Sequence, residues 1–211
     1  MYPYSSRVQP VDLARRQLDL LARISELEPP VSLMGGFAED ALLDGVVTRP
    51  HEDIDLLFAR RDHELRMSQL TELGFTDWAI QGEAEPGMPF YLFGQNGDLK
   101  VDLGIADEID GGIWVRVHKL AFSVGGGEAP AQYRFKLPDD IFDHPTVELE
   151  GIPIKPIQPL GLYQIRAGIA RRGSFGPLSE RHQATLTRLR ETFFPGLSEQ
   201  ELLPETLELR T

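Results

Sequence analysis

Residues 33–58 constrain the fold more than any other part of the chain. They read LMGGFAEDALLDGVVTRPHEDIDLLF, in which two short apolar runs are joined through a pair of glycines, a helix-like segment and a basic turn. Short apolar runs bounded by glycine or proline are typical of buried strands. The stretch therefore predicts a strand, a glycine turn, a helix over residues 37–43 and a second strand over residues 54–58.

Two aspartates, Asp53 and Asp55, lead into the second predicted strand. Side chains alternate between the two faces of a strand, so residues two apart share a face and lie roughly 6.6 Å apart. Two carboxylates at this separation can converge on one hard cation or share a pair of cations, and Mg²⁺ prefers oxygen ligands. Without a cation the carboxylates would repel each other and raise each other's pKa, so the pattern predicts a metal site.

A glycine pair, Gly35 and Gly36, precedes the predicted helix. Glycine lets the backbone approach a ligand closely, and a helix that begins after the pair offers free N–H groups and a favourable dipole to an anion. A plain turn between strand and helix is the alternative interpretation. Because Asp53 and Asp55 follow only one short helix later, we interpret Gly35 and Gly36 as a phosphate-binding turn.

Three further residues are candidates for the same site. Arg49, in the turn before the aspartates, is a candidate phosphate contact, and His51 is a candidate either for that role or for bracing the loop. A third carboxylate is expected from another strand, and Asp102 is the best candidate because it interrupts an apolar run ahead of Gly104. We predict that Asp102 is a third metal ligand or a general base toward an acceptor hydroxyl; an exposed edge residue is the alternative.

The bulk composition is that of an ordinary globular protein, with 211 residues, 41% hydrophobic and 26% charged. The net charge of −12 disfavours a nucleic-acid partner, which would need Lys and Arg, but is compatible with a small cationic ligand. The absence of cysteine excludes disulfides, thiolate metal sites and a cysteine nucleophile. No apolar run approaches the ~18–20 residues of a membrane span, and the first residues contain no apolar core segment, so we expect no secretory signal and a cytoplasmic protein without a membrane partner.

The succession of patterns predicts an α+β fold, with a mixed β-sheet flanked by helices. The pattern becomes mainly helical near residue 156, so we predict a catalytic domain over residues 1–155 and a helical C-terminal region, residues 156–211, packed on it. Residues 107–127 are ambiguous but contain a plausible hairpin turn. The remaining predicted helices are residues 10–27, 61–73, 160–171 and 178–193 with a short last one after 198, and the remaining predicted strands are residues 75–80, 90–93, 99–105, 133–137 and 147–154.

The motif residues resemble those of the polymerase-β-like nucleotidyltransferase superfamily, which combines a glycine turn, a DxD strand and a later strand carboxylate. More closely, the sequence resembles the aminoglycoside and lincosamide nucleotidyltransferases, the antibiotic adenylyltransferases. In that branch a glycine pair and an aromatic residue precede a short helix, followed by TR, one residue, H, one residue and DID. Here the pattern is carried by Gly35, Gly36, Phe37, Thr48, Arg49, His51, Asp53, Ile54 and Asp55, with a weaker likeness at residues 101–103.

The resemblance implies magnesium-dependent transfer of a nucleoside monophosphate, commonly AMP from ATP, to a hydroxyl group, with pyrophosphate leaving. It implies that Asp53 and Asp55 bind two Mg²⁺ ions and that Asp102 completes the site or acts as the base. It also implies that Gly35 and Gly36 hold the triphosphate. In such two-metal displacements one ion activates the attacking oxygen and the other neutralises the leaving phosphate.

The C-terminal region departs from the family pattern. Members often carry a lysine in the first C-terminal helix and a Lys-Asp pair in the next, whereas this chain has Arg166 and the sequence Arg181-His182-Gln183. Arg166 is a candidate contact for the nucleotide phosphates, and a solvated helix residue is the alternative interpretation. Residues 81–89 and 125–131 are predicted to border the acceptor pocket, and the sequence does not indicate an oligomeric state.

Three functions fit these features. The first is an enzyme that acts on a small hydroxylated molecule, with an aminoglycoside-like or lincosamide-like antibiotic as the leading acceptor. The second is a nucleotidyltransferase-like component of a toxin–antitoxin or regulatory pair that modifies or binds a protein or tRNA, and the negative charge makes tRNA the weaker choice. The third, a DxD-containing glycosyltransferase, is disfavoured by the glycine pair and the small size of the chain.

Overall fold

A ten-stranded mixed sheet with helices packed against it forms the frame of the chain in a computed structural model, which describes residues 10–85, 87–118, 132–171 and 179–209. None of the described helices is long and apolar enough to cross a membrane. The helices are α1 (Pro10–Ser25), α2 (Gly35–Leu43), α3 (His63–Glu72), α4 (Pro159–Arg171), α5 (Glu180–Phe193) and α6 (Glu199–Leu202), with a 3-10 turn at Arg60–Asp62. The strands are β1 (Ser32–Met34), β2 (Ile54–Ala59), β3 (Asp77–Glu85), β4 (Met88–Asn96), β5 (Leu99–Ile109), β6 (Gly112–His118), β7 (Gln132–Leu137), β8 (Val147–Leu149), β9 (Ile152–Pro156) and β10 (Thr206–Leu209).

The sheet is organised around β5. The main strand order is β10-β7-β6-β5-β2-β1-β9-β8, and β4 pairs both with β5 and with β3. The β2–β5 and β1–β9 pairs are parallel, and the other strand pairs are antiparallel. One side of β5 pairs with β2, and its other side pairs first with β4 and then with β6. The α+β prediction, with a mixed sheet flanked by helices, is confirmed.

The centre of the sheet is apolar, and helices cover it. Ile54 and Leu56 of β2 and Val101 and Leu103 of β5 are completely buried. Helix α2 packs on β2, α4 packs on β7, and α2 also contacts α4 and α5. These contacts bring the start of α2 and the C-terminal helices α4 and α5 close to one another.

The predicted long helices are confirmed to within two residues at each end, as is the start of the second motif strand, whereas the short motif helix begins earlier than predicted. Helix α2 begins at Gly35 rather than at residue 37, so the glycine pair forms its first turn. Strand β2 begins at Ile54, which places Asp53 immediately before the strand and Asp55 within it. The two aspartates therefore sit where the loop enters the sheet.

Two further segments differ from the sequence predictions. In one, the turn of a hairpin was not recognised in the sequence; in the other, a short strand was not predicted. The segment predicted as one strand over residues 147–154 is the β8–β9 hairpin, whose turn residues Glu150 and Gly151 both have positive φ. The chain after residue 198 contains, besides the short helix α6, the strand β10, which pairs with β7. The predicted hairpin turn within residues 107–127 is confirmed at Asp110 and Gly111, while the glycines at 125–127 lie outside the described residues.

The loop that carries the basic turn is fastened to α2 by Asp40. Its carboxylate, only 5% exposed, accepts hydrogen bonds from the Thr48 amide at 3.0 Å, the Thr48 hydroxyl at 2.6 Å and His51 Nε2 at 2.7 Å. Gln17 of α1 donates to the His51 carbonyl at 3.0 Å. Burial alone would raise the pKa of Asp40, but the hydrogen bonds from His51 and Thr48 lower it below its ordinary value. These bonds fix the course of the chain into Asp53.

Removing the Asp40 carboxylate leaves the buried Nε2 of His51 and the two donors of Thr48 without their partner. We expect Asp40→Ala to lower the free energy of unfolding by about 2–4 kcal/mol. Asp44→Ala is the matched control in the same segment, since Asp44 pairs with Arg188 at an exposed site, and we expect it to lower the free energy of unfolding by less than about 1 kcal/mol. Urea denaturation measures both, and equal losses would contradict the role given to Asp40.

Candidate active site

The register between β2 and β5 brings the predicted carboxylates together. Asp55 is the direct neighbour of Asp102 in this parallel pair, and Met34 at the end of β1 is the neighbour of Asp55 on its other side. Asp53 lies two residues before Asp55, at the mouth of the same strand. The structure therefore places Asp53, Asp55 and Asp102 side by side, next to the start of α2.

Each of the three carboxylates has a raised pKa. Burial, followed by the charges of Asp53 and Asp102, raises the pKa of Asp55 well above its ordinary value. Burial and the neighbouring Glu52 raise the pKa of Asp53. Burial raises the pKa of Asp102 to about 6, although its hydrogen bond with Tyr91 acts in the opposite direction. Within the described residues no Lys or Arg side chain forms an ion pair with any of these three aspartates.

This donor set fits a hard divalent cation. The Tyr91 hydroxyl donates to Oδ2 of Asp102, while Oδ1 of Asp102 is buried and has no hydrogen-bond partner. All the donors are carboxylate oxygens, which Mg²⁺ prefers. Among the described residues, however, no group of three His, Cys, Asp or Glu side chains is close enough to enclose a metal ion by itself. The arrangement therefore suits an ion such as Mg²⁺, which takes substrate phosphate and water as its other ligands.

The two glycines are required by the side chains around them. Gly35 has a φ of +64°, and a Cβ there would lie 1.9 Å from Oδ2 of Asp55. A Cβ on Gly36 would lie 2.3 Å from Nδ1 of His51 and 2.7 Å from an Arg49 nitrogen. The residue before α2, Met34, provides no side-chain cap, so no side chain at that position occupies the free N–H groups of the first turn. An anion can approach these N–H groups closely.

A cavity of about 450 Å³ opens beside the aspartates. Asp53 and Asp55 line it together with Gly36. Its remaining lining is rich in basic side chains, which come from the loop before β2 and from α4 and α5. The basic and imidazole groups that line it are Arg49, His51, Arg166, Arg181 and His182.

A buried glutamate links two of these arginines. Glu39 of α2 is 3% exposed, and one of its oxygens pairs with Nη2 of Arg166. Its other oxygen lies 3.5 Å from Nη2 of Arg49. Burial raises the pKa of Glu39, and the charges of Arg166 and Arg49 oppose that rise. Arg49 and Arg166 thus contact the same carboxylate group, although they are distant from each other in the sequence.

His51 is fully engaged with the protein. Its Nε2 lies 2.7 Å from Asp40 and its Nδ1 lies 2.9 Å from Nη1 of Arg49. Its ring packs on Phe37 with centroids 4.1 Å apart, and only 3% of the side chain is exposed. Of the two roles considered from the sequence, these contacts favour the bracing of the loop and of Arg49.

Two residues of the site, Glu39 and Tyr91, were not singled out from the sequence, and Arg181 and His182 were noted only as a departure from the family pattern. The sequence signal for Glu39 was weak: with Asp40 it forms an acidic pair within a short helix that is otherwise apolar. Tyr91 could not have been found, because its contact with Asp102 depends on the register of β4 against β5. Arg181 and His182 lie in the first turn of α5, and burial and the charges of Arg166, Arg181 and Arg49 lower the pKa of His182.

Comparison with known proteins agrees with this site. A family model described as aminoglycoside-2''-adenylyltransferase matches residues 17–86, the range that holds the glycine pair, Asp53 and Asp55. None of the curated protein sequences compared with this chain matches it. The predicted relationship to antibiotic nucleotidyltransferases is confirmed by the family model, and the match supports nucleotidyltransferase activity.

Solved structures share the fold. The solution structure of the antibiotic-resistance factor ANT(2'')-Ia has a TM-score of 0.57 and 19% identity, over 92% of this chain and 89% of that one. The crystal structure of ANT(2'')-Ia in complex with adenylyl-2''-tobramycin has a TM-score of 0.57 and 18% identity, over 90% of this chain and 92% of that one. The nucleotidyltransferase fold predicted from the sequence is therefore confirmed over nearly the whole chain.

The carboxylate of Asp55 should destabilise the metal-free protein at neutral pH. Because the pKa of Asp55 is raised in the folded state, the unfolded chain ionises first, and stability is lost as the pH rises from about 4 through the raised pKa. We expect Asp55→Asn to raise the free energy of unfolding by about 1–2 kcal/mol at about pH 7.5, with the gain vanishing below about pH 4. Urea denaturation in EDTA across this range measures it, and a loss of stability at the higher pH would contradict the electrostatics described.

Proposed function

We propose that this chain transfers AMP from ATP to a hydroxyl group of an aminoglycoside, with Mg²⁺ as cofactor and pyrophosphate as the second product. The observation that carries the proposal is the position of Asp53, Asp55 and Asp102 beside a cavity rich in arginine, next to an uncapped helix start. The family match over residues 17–86 supports the same conclusion.

The cavity is suited to a nucleoside triphosphate. Its arginines, Arg49, Arg166 and Arg181, stand out in a chain whose net charge is −12. Guanidinium groups match phosphate oxygens in charge and in hydrogen-bond geometry. The backbone of Gly36 lines the same cavity, so the first N–H groups of α2 can face the phosphates. We assign this side of the site to ATP.

Asp53 and Asp55 would hold Mg²⁺, and we propose two ions as in related enzymes. When bound, the metal neutralises triphosphate charge and makes the acceptor oxygen easier to deprotonate. The chain itself positions the carboxylates at the start of β2. Gly35, which has no Cβ, allows the backbone of α2 to lie in close contact with the Asp55 side chain.

Asp102 is proposed as the base toward the acceptor. Its Oδ1 has no hydrogen-bond partner, and Tyr91 holds its Oδ2. A pKa near 6 leaves Asp102 ionised at neutral pH and able to accept a proton. In the proposed reaction the acceptor oxygen bonds to the α-phosphorus and its proton passes to Asp102. The bond from the α-phosphorus to the bridging oxygen breaks, and pyrophosphate leaves.

An aminoglycoside is proposed as the acceptor on two grounds. The matching family is named for 2''-adenylylation of aminoglycosides, and one solved structure of the same fold holds adenylyl-2''-tobramycin. Aminoglycosides are polycations, which a chain of net charge −12 attracts. Residues 81–89, predicted as a loop, instead belong largely to β3 and β4, and Tyr91 lies two residues beyond them in β4, which supports a position of this strand pair beside the acceptor. Residues 125–131, the other predicted border, lie outside the described residues.

ATP as donor also favours the proposed cytoplasmic location.

The test is a transfer assay with α-labelled ATP and Mg²⁺. The acceptors are tobramycin, related aminoglycosides, a lincosamide and a neutral sugar, with pyrophosphate release and product mass as readouts. We expect an adenylylated aminoglycoside. No transfer to any hydroxylated antibiotic, together with label on a protein partner, would contradict the proposal and favour a regulatory role.

Asp55→Asn tests the site within the same assay. We expect it to lower kcat/KM by at least about 100-fold, because the variant removes a charged metal ligand. Asp98→Asn is the control, since Asp98 forms an exposed pair with Arg16, and we expect its kcat/KM to stay within about twofold of the wild type. Equal activity of the Asp55→Asn variant and the wild type would place the reaction elsewhere.

A further inference from the structure

Glu39 occupies an unusual position below the cavity. It lies in the first half of α2, and only 4% of its side chain is exposed. A buried carboxylate is unfavourable unless cations compensate it, and here Arg166 and Arg49 each pair with one of its oxygens. Glu39 itself does not line the cavity, whereas both arginines do.

The two arginines depend on Glu39 for their mutual arrangement. They come from separate elements, α4 and the loop before β2, and their side chains are 17% and 23% exposed. Nε of Arg166 is buried without a hydrogen-bond partner, so the contact with Glu39 is its principal anchor among the described residues. Two neighbouring guanidinium groups repel each other, and the carboxylate between them removes that repulsion.

We infer that Glu39 is a positioning residue of the nucleotide site, which fixes Arg49 and Arg166 at the cavity so that both can bind the triphosphate. This inference rests on the proposed function. Glu39 acts through the arginines and does not touch the reacting atoms.

Loss of the Glu39 charge has two opposite consequences. It makes the cavity more positive, which by itself would strengthen the binding of an anion. It also frees Arg166, whose charge already acts on Asp55, to move toward the carboxylates that are proposed to bind Mg²⁺. Because arginine binds phosphate through a fixed geometry, the loss of position outweighs the gain in charge.

Asp107 provides a matched control. It is 5% exposed, and like Glu39 it holds two arginines: its carboxylate pairs with Arg60 and with Nε of Arg116, the latter at 3.0 Å. It lies five residues after Asp102 on β5, so its side chain points to the other face of the sheet. Asp107→Asn therefore makes the same chemical change at a buried ion pair away from the cavity.

The experiment measures KM for ATP, KM for the aminoglycoside and thermal unfolding for the wild type, Glu39→Gln, Glu39→Asp and Asp107→Asn. We expect Glu39→Gln to raise KM for ATP by about tenfold and leave KM for the acceptor within about twofold. Glu39→Asp keeps the negative charge but moves it away from the two arginines, because the side chain is shorter. We expect this variant to raise KM for ATP by about threefold. Asp107→Asn should lower the unfolding temperature without changing KM for ATP.

A double variant shows whether Glu39 acts through Arg166. Because Glu39 also pairs with Arg49, we expect Glu39→Gln with Arg166→Gln to raise KM for ATP more than Arg166→Gln alone, but by less than the product of the two separate effects. If the wild type is active, the proposed function stands, and the inference about Glu39 is then tested separately. An unchanged or lower KM for ATP in Glu39→Gln overturns that inference. If Glu39→Gln does not fold, the same result in Glu39→Asp overturns it. A wild type without transfer overturns the proposed function. If that wild type also fails to bind ATP with Mg²⁺ in calorimetry, the inference about Glu39 is overturned as well. If it does bind ATP, the variants are compared by their Kd for ATP instead of by KM.

Discussion

Repulsion among three carboxylates is the constraint around which this structure is arranged. The parallel register of β2 and β5 sets Asp55 beside Asp102, and the chain enters β2 through Asp53. Burial raises the pKa of all three, and the charges of Asp53 and Asp102 raise that of Asp55 further. Such stored destabilisation is characteristic of sites that are completed by a ligand, and the ligand that we propose here is a cation.

Helix α2 supports the site through two consecutive acidic residues with different tasks. Successive side chains on a helix point about 100° apart, so Glu39 and Asp40 face different partners. Asp40 fixes the backbone of the loop through Thr48 and His51, and Glu39 meets the arginine side chains that reach the cavity. One short helix thereby sets both the path of the chain into the aspartates and the basic lining beside them.

The sequence predicted those parts of the site that are close together along the chain. The glycine pair, Arg49, Asp53 and Asp55 lie within one short stretch, so their order and spacing carried the interpretation. Asp102 was also found, because a charge within an apolar strand has few structural explanations. Contacts that depend on strand register or helix packing were not predictable: Tyr91 on Asp102, β10 on β7, and Arg166 on Glu39. In each of these the partners are distant in sequence and joined only by the tertiary fold.

The central claim is that Asp53 and Asp55 form a metal-dependent nucleotide site and not a structural pair. Calorimetric titration of ATP into the wild-type protein, with and without Mg²⁺, tests this claim most directly when repeated with an Asp53→Asn, Asp55→Asn double variant. The account predicts Mg²⁺-dependent binding to the wild type and a loss of affinity of at least about tenfold in the double variant. Equal affinity of the two proteins for ATP in the presence of Mg²⁺ would contradict it.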